Sequence, residues 1–330
     1  MKKTILAIFI ISLFVIATKV QAQGIPLQVA PARQQITIDP GGEATVNVKF
    51  FNLGETPIIG FIKAADFIVD NKEGTPKIID DPSQTSPRFS ASTWLTLPYD
   101  QVTIAPNDRI SFQVKIKVPA NAKPGGRYAA VYFETAGAVP QPVTITNEAG
   151  ASVTHRLASL IYIRVNGPIS ENAIITRLFS TSFHEYGPID VETEILNRGD
   201  YHIRPKGVLT LTNMFGGMID QAPLKEQNIF PDTARVFTNS LGKKWLIGRY
   251  KIDLKAAYGE HGGALSQYIY VWVFPWKVAL IIVLSIIIVV LVGNNIYKKL
   301  LVKESQLEEE IIRERQEIEK LRDELRQRNG

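Results

Sequence analysis

Between residues 24 and 274 the apolar side chains recur at every second position, as in Ala44, Val46, Val48 and Phe50, or Ile110, Phe112, Val114, Ile116 and Val118. An extended chain with this period sends one set of side chains into a core and the other into solvent, which is the signature of half-buried strands. No long helical period competes. Turn clusters punctuate the runs at Asp39-Pro40-Gly41-Gly42, Asn71-Lys72-Glu73-Gly74, Pro106-Asn107-Asp108 and Lys123-Pro124-Gly125-Gly126. Many short strands at such spacing predict a mainly β chain with two tandem immunoglobulin-like β-sandwiches. A long strand over 153–165 ends at Asn166-Gly167-Pro168, and a second series follows at 174–183, 189–196, 207–212, 233–239, 250–256 and 266–273. The expected sandwiches therefore cover residues 23–167 and 168–274.

Two apolar segments lie outside this pattern. Lys2 and Lys3 precede a short apolar stretch ending near Ala17, and Val20-Gln21-Ala22 fits a small-residue cleavage site, so residues 1–22 read as a secretory signal peptide. The second segment is almost free of polar residues from Val278 to Val292, and with its flanks it reaches the ~20 residues a bilayer requires. Residues 275–297 are the expected transmembrane helix. Trp272 and Trp276 sit at its N-terminal side as interfacial anchors, and Lys298 and Lys299 follow its C-terminal end. The lysine bias places residues 298–330 in the cytoplasm and the sandwiches outside a cell membrane crossed once.

Several chemistries are disfavoured. The 330 residues contain no cysteine, which removes disulfides, thiolate catalysis and cysteine-based zinc sites. A net charge of +5 offers no long basic stripe, so nucleic acid is not an expected partner. The absence of Asn-x-Ser/Thr acceptors, with the lack of cysteine, leans toward a bacterial surface. The four histidines, His155, His184, His202 and His261, show no ligand spacing, and no P-loop, dinucleotide fingerprint or Gly-x-Ser-x-Gly elbow is present. No enzyme activity, cofactor or metal is expected.

Contact candidates are few. In Lys123-Pro124-Gly125-Gly126-Arg127-Tyr128, Lys123 and Arg127 offer donors to an anionic glycan or carboxylate and Tyr128 a stacking face, although the same residues also make a tight entry into a strand. The stretch 70–89 reads as a long surface loop able to serve as a contact surface, and 138–150 as a similar excursion. Arg198-Gly199-Asp200 reads as an Asn-x-Gly turn with a positive φ at Gly199, not as an adhesion motif. Trp94 alternates like a core tryptophan.

The Val29-Ala30-Pro31 strand, the Asp39-Pro40-Gly41-Gly42 turn before Phe51-Asn52, and the stretch from Val118-Pro119 through Arg127-Tyr128 to Phe133 resemble bacterial WxL-interacting proteins. That resemblance implies a first domain that contacts peptidoglycan and a second that holds a partner surface protein. The tail adds a heptad seam with Ile311, Ile318 and Leu325 at one position, which predicts a charged helix able to form a homo-oligomer. The expected function is a membrane-anchored scaffold that binds a cell-envelope polymer or surface protein, with an anchored chaperone or assembly factor for exported proteins as the alternative.

Overall fold

The computed structural model describes residues 26–136 and 155–328. The expected signal segment and the 138–150 excursion lie outside the described residues. The chain is mainly β, with two sandwiches followed by one long helix.

The first sandwich contains β1 (Leu27–Ala30), β2 (Arg33–Ile38), β3 (Glu43–Asn52), β4 (Ile58–Ile68), β5 (Lys77–Ile79), β6 (Leu95–Thr96), β7 (Gln101–Ile104), β8 (Arg109–Lys117), β9 (Gly125–Thr135) and β10 (Arg156–Val165). One sheet runs β1-β3-β8-β6 and the other β2-β10-β9-β4-β5, with β7 also on β4. The alternation in β3 and β8 sets the core. Register pairs Val46 with Val114 and Val48 with Phe112, and these four are buried. Each such side chain contributes about 1.5–3 kcal/mol when removed from water. Strand β9 is buried along its whole length. Its inner face meets the core, and much of its outer face is covered by a loop and by the second sandwich.

The second sandwich contains β11 (Ala173–Phe179), β12 (Phe183–His184), β13 (Ile189–Asn197), β14 (Lys206–Asn213), β15 (Met218–Pro223), β16 (Ala234–Leu241), β17 (Gly248–Tyr258) and β18 (Gly263–Val273). Its sheets run β11-β13-β16 and β12-β18-β17-β14-β15. The run expected as one strand over 174–183 is two pieces in different sheets. The Ser180 hydroxyl ends the first by donating to the Asp190 carbonyl at 2.7 Å. The first sandwich does the same thing, because β1 is antiparallel to β3 whereas β2 crosses over to lie parallel to β10. In the second, β11 is antiparallel to β13 and β12 parallel to β18.

The two sandwiches also share a polar clip. Asn52 ends β3 and Asn197 ends β13, and both are fully buried. The Asn52 amide faces the carbonyls of Thr56, Ile104 and Ala105 at 2.7, 3.1 and 3.1 Å, while its oxygen accepts from Gly54 N–H at 2.9 Å. Asn197 reaches the carbonyls of Tyr201 and Ile229 at 2.8 and 3.0 Å and accepts from Gly199 N–H at 2.9 Å. Gly199 is therefore required for close approach and not for a positive φ, correcting the turn expected there. A Cβ on it would stand 2.6 Å from the Ser170 carbonyl.

After β18, Phe274 and Pro275 lead directly into α1 (Trp276–Arg328). Its first 24 residues, Trp276–Lys299, are long and apolar enough to cross a membrane.

Replacing Asn52 or Asn197 by Ala strands buried carbonyls and should cost about 2–4 kcal/mol, read as a lower denaturant midpoint. Unchanged stability in Asn197→Ala would mean that the clip does not hold the second sandwich.

Candidate functional site

Where the sandwiches meet, the outer face of β4, β9 and β10 presents Phe67, Tyr128 and Tyr162, and the second sandwich answers with Phe230 and His202. Tyr128 and Phe230 stack edge-on at 5.0 Å, and Tyr162 and His202 at 5.2 Å. Such contacts add about 0.5–1.5 kcal/mol each beyond burial. The Tyr128 hydroxyl accepts the His202 backbone N–H at 3.0 Å and lies 3.3 Å from Nδ1, a spacing that suits its own proton donating to an unprotonated ring nitrogen.

Polar contacts ring this cluster. Gly126 N–H donates to the Asp200 carbonyl at 2.8 Å. Arg88 bonds the Asp200 carboxylate and lies 3.3 Å from Asp232. Burial would raise the Asp200 pKa, but the Ser170 N–H and Arg88 outweigh it and hold the carboxyl below its usual value. The 70–89 stretch reaches across as well. The Lys72 carbonyl accepts Val236 N–H at 3.0 Å, Arg235 donates to the Glu73 carbonyl at 2.6 Å, and Lys72 pairs with Glu194 at 3.0 Å. That stretch is thus a strap onto the chain's own second sandwich, and it contains β5.

Asp66 anchors the returning end of the strap. It is buried in β4 and accepts the N–H groups of Ala91 and Ser92, both at 2.7 Å, with hydroxyls from Thr85, Ser90 and Ser92. The single charge inside Ala64-Ala65-Asp66-Phe67 was the signal for it in the sequence.

The expected contact residues separate. Lys123 is exposed, whereas Arg127 and Tyr128 are buried. The terminal nitrogens of Arg127 donate to the Lys123 and Gly126 carbonyls, both at 3.0 Å, and its guanidinium lies over Trp94 at 5.7 Å. Tyr128 belongs to the junction. Neither is presented to an outside glycan or peptide. Trp94 closes a short 3-10 turn, Ser92–Trp94, and packs half-buried on the core. Asp200 of the Arg-Gly-Asp run is occupied at the junction. Trp272 near the end of β18, Trp276 at the start of α1 and Lys298 and Lys299 further along it are exposed. Among the described residues no group of acids and histidines could hold a metal ion.

One backbone surface stands open. Strand β2 bonds β10 only from Leu160 to Val165, so the edge from Arg156 to Ser159 has no ladder partner on that side among the described residues. Leu160 N–H points toward this edge, donating to the Ala32 carbonyl at 3.0 Å, and by the two-residue repeat Ala158 N–H points the same way. Arg156 is held flat over Tyr132 by Glu134 at 2.8 Å and Asp80 at 2.6 Å. Arg33, paired in register with Leu160, lies exposed at the inner end of the open stretch.

No family model matches the chain, and no curated protein matches it. Solved structures similar to it include the class 5 fimbriae chaperone CfaA, at 15% identity and TM-score 0.36, covering 73% of this chain and 98% of that one. The Pseudomonas aeruginosa CupB2 chaperone shares 9% identity at TM-score 0.33, covering 72% and 97%. The Salmonella enterica SafA pilin in complex with the SafB chaperone gives 11% and 0.33, covering 76% and 98%. Likeness at this level carries no functional argument.

His202 gives the junction a pH dependence. Burial, with Arg33, Arg164 and Arg204 nearby, lowers its pKa to about 4. The unfolded chain, with an ordinary value of about 6.5, binds this proton first, so stability falls as pH drops from about 6.5 to about 4. Between pH 7 and 4.5 the loss from this group should be about 2 kcal/mol. Denaturant unfolding of the His202→Phe variant should show a shallower pH dependence than the parent by that amount.

Proposed function

We propose that the chain is a membrane-anchored, non-enzymatic binding protein whose first sandwich takes an extended segment of an exported polypeptide, in the manner of an assembly factor. The open edge of β10 carries this reading. Its unpaired N–H and C=O groups match what an added strand needs, and alternate side chains would give selectivity. Ala158 and Leu160 on the outer face are small or apolar and would leave room beside such a strand. Arg33 at its end would take an acidic side chain or terminal carboxylate. Of the solved structures above, one is described as a class 5 fimbriae chaperone, one as a chaperone and one as a chaperone in complex with a pilin, and the proposal rests on the β10 edge and not on them.

The reading places the sandwiches outside the membrane, with α1 crossing it and the tail inside, where the heptad seam would pair copies of the chain. Binding of peptidoglycan or of a folded surface protein is the scaffold reading, and it makes no demand on the β10 edge.

Ala158→Pro removes the outward N–H and spares the ladder to β9. The full chain in detergent, offered ten-residue peptides of alternating valine and threonine, should lose at least roughly tenfold in affinity on this change, at unchanged thermal stability. Hydrogen exchange at Ala158 in the parent should slow when peptide binds. Exchange unaffected by bound peptide, or equal binding by the proline variant, would overturn strand addition.

A further inference from the structure

We propose that the end of the second sandwich nearest α1 is a lipid-contacting surface, seated in the headgroup layer of the membrane that α1 crosses. This rests on α1 being a membrane anchor, and it adds a second attachment to that anchor.

Sheet register brings the relevant loops to one end. Gly248 pairs with Val273 and Asn213 with Tyr250, so the β14–β15 turn stands level with the end of β18. Ile189 pairs with Leu241, which puts the β16–β17 loop at the same end, and Gly187 N–H ties that loop in place through the Lys244 carbonyl at 3.0 Å. At this rim Phe215 is 88% exposed, Ile247 64% and Trp245 61%, with Met214, Phe183 and Trp272 also exposed. Scattered exposed apolar residues are ordinary, but several gathered on the rim of one domain mark an interaction surface. Core packing does not account for them. In the β16–β17 loop Leu246 is buried, while Trp245 and Ile247 on either side point into solvent.

The place of α1 identifies the occupant. Only Phe274 and Pro275 separate β18 from the helix, and Phe274 N–H is bonded to the His184 carbonyl at 2.9 Å. Lys277 in the first helical turn pairs with Glu185 of the sandwich at 2.7 Å. With so short a link the rim cannot lift clear of a bilayer entered at Trp276. The composition suits that layer, since aromatic rings collect at headgroup depth and the exposed Lys243 and Lys244 would meet lipid phosphates. The opposite end has another character. Its β17–β18 turn carries Glu260 and His261, paired with Arg164 and Glu171.

Because the chain has no cysteine, single cysteines can be placed and labelled with an environment-sensitive fluorophore in the full-length protein. In vesicles of phosphatidylcholine and phosphatidylglycerol, labels at Phe215→Cys and Trp245→Cys should be quenched by headgroup nitroxide lipids about twofold or more beyond a label at Leu53→Cys on the first sandwich. A label at Ile287→Cys, mid-helix, should be quenched by nitroxides near the acyl-chain ends. Quenching at Ile287 with Phe215 and Trp245 no different from Leu53 would overturn lipid seating and leave the anchor standing. No quenching at Ile287 would remove the anchor and this proposal with it.

Discussion

The interaction on which this pair of sandwiches depends is the sealing of one sheet face by a neighbour. The outer face of β4, β9 and β10 would otherwise expose Phe67, Tyr128 and Tyr162 to water, and Phe230 and His202 cover it. Burial of these rings, and not a linker of a given length, makes the two sandwiches one unit. Strand β9 records the constraint in its sequence. Tyr128 to Phe133 is continuously apolar because the strand is covered on both faces, whereas β3 and β8 alternate because they are covered on one. The strap from the first sandwich and the Arg88 contacts to Asp200 and Asp232 secure the rim of that seal with polar bonds that exclude water less well but fix the angle.

Much of the fold was legible because periodicity is local. The strands of β3, β8, β13 and β17 could be read from alternation, and α1 from uninterrupted apolarity. The split first strand of each sandwich was not legible as a change of sheet, since such a change leaves the two-residue period intact and only Pro31 in the first and Ser180 in the second hint at the breaks. β15 was invisible for the opposite reason. As an edge strand whose inward positions are Asp220 and Ala222, it has no run of large apolar residues to show a period. Asn52 and Asn197, each two residues before a glycine, were a repeat in plain view, but only the carbonyls brought in from Ile104 and Ile229 reveal what they do.

The candidate site was less legible than the fold. Lys123, Arg127 and Tyr128 stood out together in the sequence as a contact candidate, yet sequence cannot say whether an arginine and a tyrosine beside a tight turn face outward or into a second domain. Their hydrogen bonds answer that: Arg127 is spent on two carbonyls of its own turn and Tyr128 on His202. The open edge of β10 is a property of backbone groups, and every residue carries the same ones. Only the point at which β2 stops pairing distinguishes Ala158 from its neighbours.

The two-residue passage from β18 into α1 has a mechanical meaning. A flexible tether would let the sandwiches tumble about the helix, but a rigid joint turns them into a lever with a fixed bearing. Any rotation or tilt of the helix must then swing the first sandwich through an arc. A small angular change in α1 would become a larger displacement of the first sandwich, without a single contact between the sandwiches being remade.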